Sequence, residues 1–211
     1  MKILVLSDKI EDIIYTNSIS ERFGDIDFVV SCGDLPNYYL EFVVSSLNKP
    51  LFYVLGNHDN DKVYTENGLK SGLPEGCINI DGRLVLYKGV VLMGLEGSMH
   101  YSGGACQYSE RQMALKAFKL RGQIFFNRLF LKRNINIIVT HAPPYKIHDQ
   151  EDVCHRGFKI FLKLIEKYRP EFFLHGHVHT YNKSRNSITC AGATKVMNCY
   201  GYKVIEIKGI K

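Results

Sequence analysis

The segment YVLGNHD, residues 53–59, passes from a short apolar run into a glycine and then into three polar side chains. An apolar run of this length followed by a turn residue predicts a buried strand that ends near Gly56. The next three residues, Asn57, His58 and Asp59, can each offer an oxygen or a nitrogen to a metal ion or a phosphate. The segment therefore predicts a strand with a reactive group at its carboxyl end.

Four other apolar runs end in a side chain that can bind a metal. They are LVLSD ending at Asp8, VVSCGD ending at Asp34, IIVTH ending at His141, and FFLHGHVH with His177 and His179. Strand carboxyl ends of an α/β sheet share one edge, where ligands bind. Taken singly, an aspartate can cap a helix, Asn57 can form a turn after Gly56, and a histidine can be a hydrogen-bonded core residue. Five strand ends with the same property favour one shared metal site.

The donor set indicates the kind of metal. Aspartate and asparagine oxygens combined with histidine nitrogens suit Mn²⁺, Fe or Zn²⁺ better than Ca²⁺ or a thiolate-bound ion. Glycines stand at positions 33, 56 and 176, each directly before a candidate ligand. Glycine there permits a sharp turn or a close approach of the backbone, which would aim the next side chain at the ion.

The remaining pattern predicts an α/β protein. Apolar runs typical of strands cover residues 3–6, 28–31, 51–55, 83–95, 135–140, 172–174, 188–191 and 202–207, and helical patterns cover about 37–47, 109 to about 132, and 156–168. Ser109 and Gln112 match a capping box, and Gly122 is a candidate break in the long helix. Residues 78–95 and 187–207 have the pattern of antiparallel hairpin pairs, which predicts a mixed sheet, or two facing sheets, flanked by helices.

Length and composition predict one domain over residues 1–211, since the 211 residues are 45% apolar and contain no linker-like stretch. The six cysteines are scattered, which favours reduced thiols and a cytoplasmic protein. No window approaches the roughly 18 consecutive apolar residues that a membrane span needs, so no membrane partner is expected. The net charge of +6 favours phosphate-bearing partners. The basic segment 116–133 is interpreted as a solvated outer face rather than a nucleic-acid patch. The sequence indicates no particular oligomeric state.

Four motifs in this order resemble the signature of the calcineurin-like metallophosphoesterases: GD at 33–34, GNHD at 56–59, THAPP at 140–144 and GHVH at 176–179. The resemblance extends over residues 2–206. It implies a four-layer α/β-β/α sandwich of two mixed sheets flanked by helices. It also implies two divalent metal ions, with Mn²⁺ expected and Fe or Zn²⁺ as alternatives.

The resemblance also implies a role for each matching residue. Asp34 resembles the carboxylate that bridges the two metals, with Asn57, His141 and His177 completing one site and Asp8 and His179 contributing to the other. His58, together with Asn57, resembles the residues that contact the substrate phosphate. The implied activity is hydrolysis of a small phosphodiester or phosphomonoester by in-line attack of a metal-bridging hydroxide, which needs no protein nucleophile.

Two positions depart from the family pattern. The first motif is usually D-x-H, whereas this chain has Ile10 where the second metal-binding side chain would stand. The second motif often ends in an acid that orients the phosphate-contacting histidine, and here that position is Asn37. We therefore expect unequal sites, with the metal site at Asp8 weaker than the one at His141.

Other segments offer further candidates, each with a structural alternative. The segment 148–157 could supply a replacement ligand from His148, Asp149, Glu151, Asp152 or His155, or it is a polar loop in which Asp152 caps the next helix. Arg156 could bind a substrate phosphate. Tyr101 or Tyr108 could stack on a base or aryl group of the substrate, or lie in a surface loop. His175 is predicted to be a core residue or a support for the ligands rather than a ligand, and Asp59 a turn residue or a support for the ligands.

Two other functions remain open from the sequence. A nuclease acting on nucleic-acid ends or single strands is consistent with the net charge of +6. A non-catalytic interaction protein with an impaired first metal site is consistent with Ile10. The retained carboxylates and imidazoles favour catalysis, since they are costly to bury without a counter-ion.

Overall fold

The computed structural model describes residues 1–59, 62–65, 68–179 and 188–207, with the backbone alone for 62–65 and 68–71. Its strands are β1 Lys2–Ser7, β2 Phe28–Ser31, β3 Leu51–Tyr53, β4 Lys62–Thr65, β5 Gly68–Ser71, β6 Ile78–Asn79, β7 Leu84–Tyr87, β8 Val90–Leu95, β9 Ser98–Met99, β10 Gln107–Tyr108, β11 Ile137–Thr140, β12 Phe172–His175, β13 Ile188–Ala191, β14 Thr194–Asn198 and β15 Gly201–Glu206. Its helices are α1 Ile19–Phe23, α2 Asn37–Leu47, α3 Glu110–Lys119, α4 Arg121–Phe130 and α5 Lys159–Tyr168.

The strands form two large mixed sheets. The first has the order β15-β1-β2-β3-β6, with β15 antiparallel to β1 and the other pairs parallel. The second has the order β13-β14-β12-β11-β8-β7, with antiparallel pairs only at its two edges. Two further pairs, β9 with β10 and β4 with β5, lie outside these sheets.

Three apolar clusters separate four layers. Alternate strand side chains point to opposite faces, so Ile3 of β1 and Ile137 of β11 meet in the cluster between the two sheets. Leu4 of β1 lies in a second cluster beneath α1 and α2. Ile138 of β11 lies in a third, beneath α3, α4 and α5. This arrangement confirms the predicted four-layer α/β-β/α sandwich of two mixed sheets flanked by helices.

The predicted apolar runs coincide with strands of the structure, but the predicted pairing of those strands was incomplete. The predicted runs 28–31 and 188–191 coincide with β2 and β13, and the hairpin predicted within 78–95 is present as β7 and β8. Region 187–207 contains the hairpin of β13 with β14, a strand that the predicted runs missed. Its last strand, β15, instead joins the other sheet beside β1, because this pairing buries Ile205 between the two sheets.

Helix boundaries follow tertiary contacts at two points. The Ser109 and Gln112 capping box is confirmed at the start of α3. The break in the long helix lies at Leu120 rather than at Gly122, and the Leu120 side chain is buried beneath the helices. The prediction that Asp152 caps the following helix was wrong. Helix α5 begins at Lys159, and its first amides donate to the Glu110 carboxylate at 2.8 and 3.0 Å.

Two sequence-level expectations concern cysteines and membrane spans. All six cysteines are free, as predicted from their scattered positions. In the described part of the chain, each helix is too short or too polar to cross a bilayer.

A half-buried charge cluster ties α3 to the edge of the second sheet. The Lys116 ammonium lies 2.8 Å from Asp81, 3.0 Å from Glu96 and 3.0 Å from the Tyr108 hydroxyl. Burial, followed by the neighbouring Asp81 charge, raises the pKa of Glu96. The lysine therefore holds together two carboxylates that would otherwise repel each other.

We expect Lys116→Met to destabilise the protein by about 3 kcal/mol, because it leaves two neighbouring carboxylates without their cation. Stability from a raised carboxyl pKa is present below the unfolded value and lost as pH rises through the folded value. The loss should therefore be smaller at acidic pH, where Glu96 is protonated. Urea unfolding at acidic and neutral pH measures this, with Lys119→Met, on the exposed side of α3, as the control. Equal losses in the two variants would contradict the prediction.

Candidate metal centre

The predicted ligands converge where the strand ends of the two sheets face each other. Asp8, Asp34 and Asn57 follow β1, β2 and β3 of the first sheet. His141 and His177 follow β11 and β12 of the second. Atoms of these residues from both sheets lie within hydrogen-bonding distance of one another. The site is therefore built across the sandwich rather than along one sheet edge.

The His141 imidazole lies at the centre of the cluster and is fully buried. Its Nε2 atom lies 3.0 Å from Asn57 Oδ1, 3.1 Å from His177 Nδ1 and 3.2 Å from Asp34 Oδ2. Each of these three atoms carries a lone pair directed at the same point. The donor atoms of Asp34, His141 and His177 all lie within 4.8 Å of one another.

Backbone carbonyls fix the tautomers of the two histidines. His141 Nδ1 donates to the carbonyl oxygen of Cys32 at 2.8 Å, and His177 Nε2 donates to that of Cys154 at 2.8 Å. The inward nitrogens, His141 Nε2 and His177 Nδ1, consequently face the cluster, where a metal ion can replace a proton on them. Metal-binding histidines usually donate their other N–H to an oxygen in this way.

The Asp34 carboxylate and the His141 imidazole stabilise each other's charged form because they lie close together. Burial opposes ionisation of Asp34, but His141 holds the pKa of that carboxyl well below its usual range. Burial likewise opposes protonation of His141, yet the Asp34 charge raises its pKa to about 9. Burial and the charge of His141 lower the pKa of His177 to about 4. One proton on His141 therefore balances the Asp34 carboxylate, while His177 stays neutral.

The donor atoms fit a divalent cation better than a proton. A single proton on His141 Nε2 can satisfy only one of the three surrounding acceptors, whereas a metal ion accepts electron pairs from all four atoms. Two imidazole nitrogens with carboxylate and amide oxygens form a set suited to Mn²⁺, Fe or Zn²⁺. Asp34, Asn57, His141 and His177 are therefore the residues that would hold a metal ion at this point.

The backbone is strained at three of the predicted ligands. Asp8, Asp34 and His177 have φ values of 63°, 55° and 67°, in the left-handed region that non-glycine residues rarely adopt. Such strain costs on the order of 1–3 kcal/mol per residue and is concentrated at functional sites. A Cβ atom at Gly56 would overlap the Asp34 carboxylate, and one at Gly176 would overlap Asp8. Both glycines are therefore required for the ligands to approach each other.

Asp8 and His179 form a second, sparser group. Both carboxylate oxygens of Asp8 accept from the backbone N–H of His177 at 3.0 Å. His179 Nε2 lies 3.7 Å from Asp8 Oδ1, and the neighbouring Asp8 carboxylate raises the pKa of His179. The Ile10 side chain packs against the apolar cluster beneath α1 and α2. At this group the structure thus brings together Asp8 and His179, with Ile10 contributing packing.

His58 is exposed beside the cluster and is anchored through its backbone. Its N–H donates to Asp34 Oδ1 at 2.9 Å. Asp59 accepts from the N–H groups of Gly56 and Asp34, each at 2.8 Å, which confirms its predicted turn role. Asn37 donates to the carbonyl oxygen of Gly72. The Asn37 side chain therefore stabilises a loop contact.

Side chains of the segment 148–157 have different partners. His148 contacts His175 at 2.9 Å and Thr189 at 2.9 Å, and His175 is fully buried, which confirms its predicted core position. Asp149 accepts from the N–H of Gly157. Arg156 donates to the carbonyl oxygen of Glu151 and lines a cavity of about 650 Å³ with Tyr145 and Lys159. These contacts do not bring Arg156 against the His141 cluster, so its phosphate-binding role stays a prediction.

His155 reaches the cluster from this segment, as does the backbone carbonyl of Cys154. Its ring stacks on His177 with centroids 5.1 Å apart, and its Nδ1 lies 3.0 Å from the Asp152 carboxylate. Tyr101 also reaches the site, because its hydroxyl accepts from Asn57 Nδ2 at 3.1 Å and so turns Asn57 Oδ1 toward His141. Tyr108 instead belongs to the Lys116 charge cluster. The pattern of strand ends had no signal for Cys32 and Cys154, which act through backbone carbonyls.

Comparisons with known proteins agree with this geometry. A family model described as calcineurin-like phosphoesterase matches residues 1–181. The chain is 25% identical over 199 residues to UPF0046 protein K07C11.7 of Caenorhabditis elegans, covering 85% of this chain and 63% of that relative's length. It therefore spans less than two thirds of that curated relative.

Solved structures share the fold at low sequence identity. TT1561 of Thermus thermophilus superposes with a TM-score of 0.64 at 16% identity, covering 95% of this chain and 89% of that one. GAP50 of Plasmodium superposes with a TM-score of 0.53 at 12% identity, covering 95% of this chain and 71% of that one. At these identities the likeness shows the fold alone.

Proposed function

Because the chain belongs to the calcineurin-like phosphoesterase family, we propose that it is a metal-dependent hydrolase of a small phosphodiester or phosphomonoester. The family's general activity is metal-dependent hydrolysis of phosphoesters. The observation that supports the proposal here is the convergence of Asp34, Asn57 and His177 on His141 Nε2, within 3.2 Å. Two divalent ions, with Mn²⁺ expected, would activate water and neutralise charge on the phosphoryl oxygens when bound.

The chain's own residues prepare the site for this chemistry. Asp34 supplies a carboxylate that faces His141 and, in the proposal, both metal positions. The Asn57 amide is held by Tyr101 with its oxygen inward. His58 is exposed at the cluster, where its imidazole can contact a substrate phosphate and support the leaving oxygen. Rigid placement of these groups limits the reorganisation that the reaction requires.

The direct test is turnover of bis-p-nitrophenyl phosphate and p-nitrophenyl phosphate with and without Mn²⁺. We expect Mn²⁺-dependent release of p-nitrophenol from at least one substrate, and the preference between them identifies a diesterase or a monoesterase. Release of p-nitrophenol should cease with a chelator and return on addition of Mn²⁺. Metal binding without turnover of either substrate would contradict the proposal.

We expect two Mn²⁺ binding events of unequal affinity. The site at His141 has four converging donor atoms, whereas Asp8 has His179 nearby and an isoleucine at position 10. Calorimetric titration of chelator-treated protein measures both affinities. Thermal unfolding should show stabilisation of about 2.7 kcal/mol when free Mn²⁺ is a hundredfold above the tighter dissociation constant. Two tight events of equal affinity would contradict the expected weakness of the Asp8 site.

A non-catalytic interaction protein is the second candidate, because Ile10 removes one expected ligand. In that case the protein would bind Mn²⁺ at the His141 cluster and turn over neither nitrophenyl substrate. The fully buried imidazole of His141 and the strained backbone at Asp8, Asp34 and His177 favour the catalytic proposal. Both features are costly to keep in a site without a function.

A further inference from the structure

Helix α4 exposes four large apolar side chains next to one another. Phe125, Phe126, Leu129 and Phe130, here called the α4 face, are 67%, 59%, 56% and 62% exposed. The rings of Phe126 and Phe130 stack with centroids 4.2 Å apart. Contiguous exposed apolar patches of this kind mark binding surfaces in otherwise well-packed proteins. The opposite side of the helix, at Ile124, is buried against the second sheet.

The α4 face is flanked by two grooves of about 430 Å³ each. Phe125 and Leu129 line the groove toward α5 together with Arg121, Arg128 and Lys167. The other groove, toward β7, is lined by Phe126, Leu131 and Leu86 among others. Among the described residues, neither lining includes an acid; Glu166 of α5 lines a different cleft with Arg169. The surface therefore combines apolar ridges with positively charged edges.

The charged residues in the stretch of chain that carries the α4 face have a single sign. The sequence has no aspartate or glutamate between Glu110 and Asp149. Exposed cations of this stretch include Lys119, Arg121, Arg128 and Lys132, and the Arg121 guanidinium lies 5.0 Å from the Phe118 ring. A second copy of the same face would bring these cations together, so self-association is opposed by repulsion. The complementary partner is anionic and has an apolar layer behind its charge.

We propose that the α4 face docks on an anionic lipid surface, with its phenylalanines and leucines entering the boundary between headgroups and acyl chains. A helix with phenylalanine and leucine on one side and basic residues at its edges lies in the plane of such an interface. Each arginine or lysine near an anionic surface tightens partition by about fivefold. The leucines beside these rings, Leu129, Leu131 and Leu86, suit acyl chains but offer a nucleic-acid base no ring to stack on.

This inference revises the interpretation of segment 116–133 as a solvated outer face with no membrane partner. Lys119, Arg121, Arg128 and Lys132 are exposed as expected, but the apolar side chains of the α4 face are exposed with them. Docking is peripheral, because α4 has 10 residues and lies flat against the second sheet. It is independent of the metal site, since none of the residues in the α4 face belongs to that site.

The test is co-sedimentation of the full chain with vesicles of phosphatidylcholine alone or mixed with phosphatidylglycerol. We expect partition into the anionic vesicles only, decreasing with salt. Replacing Phe126 and Phe130 by serine should lower partition by at least about tenfold through lost apolar insertion. Arg128→Glu changes the charge by two units and should lower partition about 25-fold through lost charge attraction. Tyr38→Ser and Arg22→Glu are matched controls at an exposed tyrosine of α2 and an exposed arginine of α1, and both should bind as the unchanged protein does.

Three results would overturn the proposal. One is equal sedimentation with neutral and anionic vesicles, or no sedimentation with either kind. Another is loss of binding in the control variants to the same extent as in the α4 variants. The third is binding of a single-stranded oligonucleotide, or dimer formation in sedimentation velocity, that depends on Phe126 and Phe130 while vesicle binding is absent. Circular dichroism and Mn²⁺ binding of each variant establish that the fold is intact.

Discussion

Asp34→Asn is expected to reduce Mn²⁺-dependent turnover by at least about a thousandfold, equivalent to about 4 kcal/mol of lost transition-state stabilisation. The substitution removes the negative charge that balances His141, 3.2 Å away. It keeps the shape of the side chain, and asparagine tolerates the left-handed backbone that Asp34 adopts at φ 55°. The variant should therefore fold but bind fewer Mn²⁺ ions, as measured by calorimetry and metal analysis.

Asp149→Asn is the matched control for Asp34→Asn. Asp149 lies in the loop after β11 of the second sheet, and its carboxylate accepts from the N–H of Gly157, a bond that asparagine can also accept. We expect near-normal turnover and Mn²⁺ stoichiometry for this variant. If Asp34→Asn retained both as well, Asp34 would not be the carboxylate that holds the metals.

His58→Ala is expected to reduce kcat by about 10²- to 10⁴-fold, the range typical of a lost proton-transfer or phosphate-contacting group. The His58 side chain is exposed, and its anchor to Asp34 is the backbone N–H, which alanine retains. The metal cluster should therefore stay intact. Equal Mn²⁺ affinity in the variant and the unchanged protein, with a large loss of kcat, distinguishes a role in chemistry from a role in metal binding.

His100→Ala provides the comparison for His58→Ala. His100 is likewise exposed, and its backbone N–H donates to the carbonyl oxygen of Tyr108, so the substitution removes an imidazole without changing that bond. We expect full activity from it. Should His58→Ala also keep its activity, another group must contact the phosphate, and His155, whose ring packs against His177, is a described alternative to test.

The convergence of the candidate ligands was predictable because each of them follows an apolar run. In LVLSD, VVSCGD and IIVTH the polar residue stands at the strand's carboxyl end, and strand ends meet in this class of fold. The orientations within the cluster were not predictable. The tautomers of His141 and His177 depend on the carbonyl oxygens of Cys32 and Cys154, which are distant in the chain. Any residue could supply such a backbone carbonyl, so no residue type in the sequence indicates which one accepts the hydrogen bond.

Some helix boundaries could likewise be predicted from the sequence, whereas others could not. The capping box of Ser109 and Gln112 was predicted correctly because both partners lie within four residues of the chain. The start of α5 was not, because its capping carboxylate comes from Glu110, 49 residues earlier. The exposed phenylalanines of α4 were equally hidden, since an apolar residue in a helical pattern is ordinarily assigned to the core.

The sequence by itself determined the fold class, the order of the main strands, the ligand residues it proposes and the departure at Ile10. Local periodicity and strand-end chemistry are properties of neighbouring residues, so they can be read along the chain. The tertiary structure alone decided that β15 joins the first sheet, that Tyr101 orients Asn57, that His155 stacks on His177, and that α4 presents an uncovered apolar face. These features depend on which surfaces pack together, and packing is a free-energy balance over the whole chain rather than a property of any one segment.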